Sequence, residues 1–368
     1  MPAKPNFVPV PGSERQPLPG TRSVGAPNPN ERIEVTVRVR PRSSAASRGV
    51  AQSAAEAPQI KQRQYMSREE FTKAYGADPK DIAAVKKFAS EYGLEVVSSS
   101  TAQRNVILAG SVEAMTKAFN VTLQQHSLPN DGTFRAREGA VYVPSELAGI
   151  VEGVFGLDDR PQASPHFRIL EPTGARDSAT PRAANGSFTP VEVGKFYNFP
   201  QNFDGTGQTI AIIELGGGYR STDLTTYFKE LGIKKPSVTA VSVDGGRNKP
   251  EGNPNSADGE VLLDIEVAGA VAPGTKIAVY FAPNTDRGFL DAVTMAVHDT
   301  RRKPSIISIS WGAPESEWTQ QAIDNMNQAF QAAAALGVTI YCAAGDNGSN
   351  DGLANGNPPD RRAHVDFP

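Results

Sequence analysis

The sequence predicts two units of different class. Residues 31–158 read as an α+β domain of ferredoxin-like order, and residues 189–368 as an α/β domain with a parallel doubly wound sheet. Three observations predict this. The first half runs strand, helix, two strands, helix, strand. The second half alternates short apolar runs with amphipathic stretches, as a parallel sheet wrapped by helices does. Between them, residues 159–188 are dense in Pro, Ser, Ala and Arg without periodicity, and read as an exposed linker.

The elements follow in order. Residues 1–30 are rich in Pro, Gly and Asn and are expected to be a disordered tail. "RIEVTVRVRP" alternates and is β-branched, which predicts a strand. "SREEF" offers a capping box, Ser67 with Glu70, and Asp78-Pro79 opens a second helix that stops at Gly93. "LEVVSSS" and "RNVILAGS" are strands, "SVEAMTKAFN" a helix, and "VTLQQHS" the closing strand of the domain. "GTFRAREGAVYVP" predicts a hairpin and "SELAGIVEGVFG" a short helix. Past the linker, "GQTIAIIELGGGY" is a continuous apolar run, a strand buried on both faces. Helix and strand then alternate through "STDLTTYFKELGI", "SVTAVSV", "SADGEVLLDIEVAGAVAPG", "KIAVYFAP", "GFLDAVTMAVHDT", "PSIISISWG", "TQQAIDNMNQAFQAAAALG" and "VTIYCAAGDNGS". In such a sheet functional groups gather at strand C-terminal ends, where Glu214, Trp311 and Asp346 fall.

Composition narrows the function. The net charge of −3 gives no basic surface for nucleic acid or membrane, and the single cysteine excludes a disulfide framework. No apolar run reaches spanning length, and the N-terminus lacks the apolar core of a standard signal peptide. The four histidines show no metal spacing. "GGGY" at 216–219 lacks the spacing of a dinucleotide-binding turn, which weakens the alternative of a nucleotide-binding module. "DNGSNDGLANGN" fails the EF-hand spacing and reads as a surface loop.

The chemistry concentrates in one helix. Glu260 and Asp264 lie four residues apart, within about 40° on the wheel. Like charges so placed cost an isolated helix a few tenths of a kcal/mol. First-turn acids are ordinarily explained by the helix dipole, but Asp264 is too far in for that. The apolar neighbours leave little polar surface, so paired carboxyls there have their pKa values pushed apart, and one can serve as base while the other orients it. Asp258 is expected to cap this helix, and Glu266 to be solvated.

"GEVLLDIEVAGAVAPG", "TIAIIELGGGY", "SIISISWG" and "CAAGDNGS" together resemble the sedolisins, the serine-carboxyl peptidases, with the motifs in family order over roughly residues 31–368. The resemblance implies an activation propeptide followed by the N-terminal half of a subtilisin-like catalytic domain, and a precursor of an acid-acting endopeptidase. It makes Glu260 the general base, Asp264 the acid that orients it, and Asp346 the oxyanion-hole acid. Glu214 and Trp311 become a supporting hydrogen-bonded network. The linker resembles a processing junction, with cleavage expected between Arg182 and Ala183. The implied partners are protein or peptide substrates and the chain's own propeptide as an intramolecular inhibitor. Acid is expected to release that inhibitor by weakening ion pairs. A secreted monomer is expected.

The family's Gly-Thr-Ser nucleophile motif is absent from residues 1–368, and so is its calcium site. Calcium is expected for a full-length member, with no metal site within this chain. The alternative from another class is a catalytically inert homologue that binds or inhibits.

Overall fold

The computed structural model describes residues 6–18, 20–43, 64–128, 132–167, 188–346, 348–349 and 363–368. Its N-terminal part contains β1 (Phe7–Pro9), β2 (Arg22–Gly25), β3 (Arg32–Val39), α1 (Arg68–Tyr75), α2 (Pro79–Glu91), β4 (Glu95–Ser100), β5 (Asn105–Ser111), α3 (Val112–Ala118), β6 (Leu123–Ser127), β7 (Thr133–Arg137), β8 (Tyr142–Pro144) and β9 (Val151–Phe155). Four of these strands form an antiparallel sheet in the order β4-β5-β3-β9. Its core gathers Val35, Val37, Leu108, Met115, Phe119 and Val154. Ser67 and Glu70 close the capping box of α1, and Asp78 caps α2 ahead of Pro79.

The first thirty residues are not a disordered tail throughout. β1 pairs with β8 and β2 with β6, and Val10, Ser13 and Arg15 are buried. Their strand partners lie more than a hundred residues away in sequence, so local composition carries no trace of the pairing. The expected helix over "SELAGIVEGVFG" is a three-residue 3₁₀ turn, Ser145–Leu147, followed by β9. Gly149 at φ +68° breaks the helical path, and Val151 and Val154 suit the strand beside β3. The strand predicted at "VTLQQHS" exists as β6, but in a separate sheet with β2 and β7. The start of the linker is not exposed either, since Arg160, Gln162 and Ala163 are buried.

The second part contains β10 (Ser164–Pro165), α4 (Pro190–Phe196), β11 (Thr209–Glu214), α5 (Ser221–Glu230), β12 (Ser237–Ser242), α6 (Ala257–Val271), β13 (Lys276–Phe281), α7 (Asp286–His298), β14 (Ile306–Ile309), β15 (Trp311–Pro314), α8 (Gln320–Ala335), β16 (Thr339–Cys342) and β17 (Asp366–Phe367). Five strands form a parallel sheet in the order β12-β13-β11-β14-β16. Every residue of central β11 is buried, which matches its unbroken apolar sequence. One face carries α5 and α6 through Phe228, Val261 and Ile265, and the other carries α7 and α8 through Phe289, Val293 and Met326.

The N-terminal part sits on α7 and α8. Gln321 of α8 exchanges two hydrogen bonds with the Val154 backbone of β9, and the Thr36 hydroxyl donates to Asp291 of α7 at 2.5 Å. Arg15 reaches Asp286 at 3.0 Å. No helix among the described residues is long and apolar enough to cross a membrane.

Candidate active site

The site is assembled where β11, β14 and β16 end and α6 begins. Ser256 caps α6 by accepting from the Asp258 backbone at 3.3 Å. Asp258 is therefore not the cap. Its carboxylate accepts from the Gly252 backbone at 2.7 Å and ties the preceding loop to the helix. Glu260, one turn after Ser256, is 1% exposed. Asp264 is half-buried, one turn beyond it.

Both carboxyls are raised above their ordinary values, chiefly by burial. For Glu260 the neighbouring charge of Asp264 adds to this, and so does interaction between the two carboxyls, which favours their holding a proton between them. The pair titrates as a unit. The Ser310 hydroxyl lies 2.9 Å from each oxygen of Asp264, so one proton is shared across the carboxylate and favours its charged form.

Behind the pair stands Glu214, fully buried at the end of β11. Trp311 Nε1 donates to its Oε2 at 2.9 Å, while Oε1 has no partner. Burial, then the Asp264 charge, holds Glu214 well above the ordinary carboxylate range, against the opposing Trp311 hydrogen bond. Asp346 is exposed on the loop after β16, and its charge reaches Glu260. The structure thus brings Glu260, Asp264, Glu214, Trp311 and Asp346 to one end of the sheet. Glu266, on another face of α6, is half-buried instead of solvated, and burial with the Asp223 charge pushes it up to about 7. Arg182 and Ala183 lie outside the described residues.

Ser310 escaped the sequence reading. The signal was a small hydroxyl at a strand end beside Trp311 in "SISWG", but a lone serine there carries no periodic or spacing cue.

Another segment lies over the same site. β10 pairs antiparallel with β15, Ser164 opposite Gly312 and Pro165 opposite Trp311, and the His166 backbone donates to the Ser310 carbonyl at 2.9 Å. The Phe167 ring packs against Gly259, where an added Cβ would sit 2.8 Å from the ring. A substituent at 259 would clash with the Pro254 carbonyl oxygen as well as with the ring, so glycine is what lets both come this close to the start of α6. The chain leaving the N-terminal part thus runs along β15, beside the acid pair. No group of three His, Cys, Asp or Glu side chains suited to a metal occurs among the described residues.

Comparisons with known proteins agree with this division. Residues 19–160 match "Pro-kumamolisin, activation domain", and residues 245–362 match "Subtilase family". The chain is 48% identical to kumamolisin of a Bacillus species over 97% of its own length and 64% of the relative's. It is 27% identical to tripeptidyl-peptidase sed5 of Aspergillus fumigatus, over 98% of this chain and 64% of that one. With sedolisin of a Pseudomonas species it shares 23% identity, over 92% of this chain and 58% of that one. The chain thus spans about three-fifths of the length of these relatives.

Proposed function

Since the chain belongs to the sedolisin family of serine-type peptidases, we propose that it is precursor sequence of a serine-carboxyl endopeptidase in its self-inhibited arrangement. On this reading Glu260 is the general base, Asp264 holds and polarises it, and Asp346 donates to the oxyanion when protonated. The nucleophile is a serine in the part of the relatives' length that residues 1–368 do not span. Its substrates are proteins or peptides, the setting is extracellular, and calcium belongs to that same remaining part. The N-terminal part has the strand order of a ferredoxin-like fold and acts as an intramolecular inhibitor.

The chemistry follows from the carboxyls. A serine hydroxyl needs a base within hydrogen-bond reach. A pair of buried carboxyls holds one proton at pH values where isolated ones hold none. With that proton on Asp264, Glu260 accepts from the serine, then returns the proton to the leaving amine. Ser310 hydrogen-bonds Asp264 and favours its charged form, and it also favours the charged form of Glu260. A carboxyl donates to an oxyanion only as the neutral acid, and that is the form in which Asp346 acts here.

The observation that carries the reading is the antiparallel pairing of Ser164–Pro165 with Trp311–Gly312, directly beside Glu260 and Asp264. An extended segment bound by main-chain hydrogen bonds occupies the place an extended peptide substrate would take. The test is inhibition. Residues 1–167, expressed separately, are expected to inhibit mature kumamolisin near neutral pH, and a version ending at Asp158 to inhibit more weakly. Absence of inhibition by the longer form would overturn the proposal.

The acid-release reading turns on the charges at the interface. Arg287 is shared by Asp244 at 2.9 Å, Glu34 at 3.3 Å and Asp291 at 3.7 Å, three carboxyls around one guanidinium. The excess negative charge, after burial, pushes Asp244 up to about 8. Burial also raises Asp286 despite Arg15. Protonating Asp244 relieves its repulsion with Glu34 across the contact, whereas protonating Asp286 gives up its ion pair with Arg15. Burial raises Asp158, but Arg15 and Arg160 together hold it below its ordinary value, and both of these partners lie on its own side of the contact.

A further inference from the structure

A cavity of about 470 Å³ lies between the N-terminal part and the helices that carry it. Arg38 of β3, Arg104 and Glu152 wall one side, and Thr294 and His298 of α7 and Asp324 of α8 the other. The cavity is formed only when the two parts are docked.

Arg38 is the cation of this cavity without an ion-pair partner among the described residues, although Glu152 and Asp324 also line the space. Arg38 is 2% exposed, and its guanidinium donates only to uncharged groups, the Asn325 side-chain oxygen at 3.3 Å and the Gln103 carbonyl at 2.6 Å. No carboxylate lies within ion-pair distance of it among the described residues. A buried charge without a counter-ion is ordinarily strongly unfavourable. Arg104 spends its charge on Glu152 at 3.2 Å. Burial and then Arg104 press Arg38 down to about 9, and burial with Arg38, Arg104 and Arg68 presses His298 down to about 3. Thr294, 2% exposed, has a hydroxyl with no hydrogen-bond partner among the described residues. Beyond His298 a second cavity of about 450 Å³ adds Arg42, Arg68 and Lys73 against Glu69 alone, and Arg68 Nη2 is also buried without a partner.

The geometry points to a binding site for a small tetrahedral oxyanion, of the inorganic phosphate or sulfate class, between Arg38, Thr294 and His298. A guanidinium fork suits such an anion, and the Thr294 hydroxyl supplies a further donor. Both walls are needed to form the site, so the anion binds the docked arrangement alone. It stabilises that arrangement by mass action and holds the inhibitory part in place. None of this depends on the peptidase assignment, because the argument uses only the contact between the two parts.

The test is thermal unfolding and isothermal titration of the full chain with inorganic phosphate, sodium chloride being varied to hold ionic strength constant. The expected result is a saturable rise in the unfolding midpoint and a measurable dissociation constant. Thr294→Val should fold as well as the parent, because it removes a hydroxyl with no hydrogen-bond partner among the described residues, yet bind phosphate several-fold more weakly. Arg38→Gln should weaken binding at least about tenfold. If Arg38→Gln does not fold, Thr294→Val and the parent decide the matter. No saturable phosphate effect in the parent, or an affinity unchanged by Thr294→Val, would overturn the site.

Discussion

Replacing Ser310 by alanine removes one hydroxyl and tests how the acid pair holds its proton. The hydroxyl lies 2.9 Å from both oxygens of Asp264, and no other side-chain donor to that carboxylate is resolved except Glu260. A hydrogen bond to a charged group contributes about 1.5–3 kcal/mol. At 1.36 kcal/mol per pKa unit, that is about one to two units on an isolated carboxyl. The pair is coupled, so the change divides between its two macroscopic steps, and the lower step should rise by about one unit. The sign is fixed by the donor: a hydroxyl favours carboxylate, and losing it favours acid. The assay is a carbon-13 NMR titration of side-chain carboxyl groups in parent and Ser310→Ala chains. A lower step that stays put or falls would show that Ser310 does not set the charge on Asp264.

Trp311→Phe removes the 2.9 Å donor to fully buried Glu214. It should destabilise the chain by about 1–3 kcal/mol in urea unfolding, and an unchanged midpoint would deny Trp311 its supporting role. Glu214, Glu260 and Asp264 are all raised in the folded chain. Folding therefore takes up protons above the ordinary carboxylate range, and this cluster's contribution should fall as pH rises from about 5 towards 8, read as a decreasing urea midpoint. Asp244→Asn should flatten part of that slope and stabilise the chain at pH near 8, because it removes one of three carboxyls around Arg287 while Asn tolerates the φ of +50° there. A steeper slope in that variant would refute the proton count at the interface.

What was legible in the sequence was local or periodic. The apolar run of β11, the Ser67–Glu70 capping box and the Asp78-Pro79 helix start each carry their own signal, and each stands in the structure. The four-residue spacing of Glu260 and Asp264 put both on one helix face, and strand ends located Glu214, Trp311 and Asp346. What stayed hidden depends on distant partners. β1 and β2 are strands because β8 and β6 lie beside them, and β9 because β3 offers an edge. Ser310 matters because the turn after β14 delivers it to Asp264. Burial of Glu266, and the crowding of three carboxyls around Arg287, arise from packing between elements far apart in the chain.

The central claim is that Glu260 is the proton acceptor for a serine hydroxyl. Its most direct test is Glu260→Gln in a precursor spanning the full length of its relatives, with self-cleavage followed at mildly acid pH. Loss of a general base lowers rate by about 10²–10⁴-fold, and a drop of that order is the predicted result. Cleavage at near-parental rate in the variant would contradict the account.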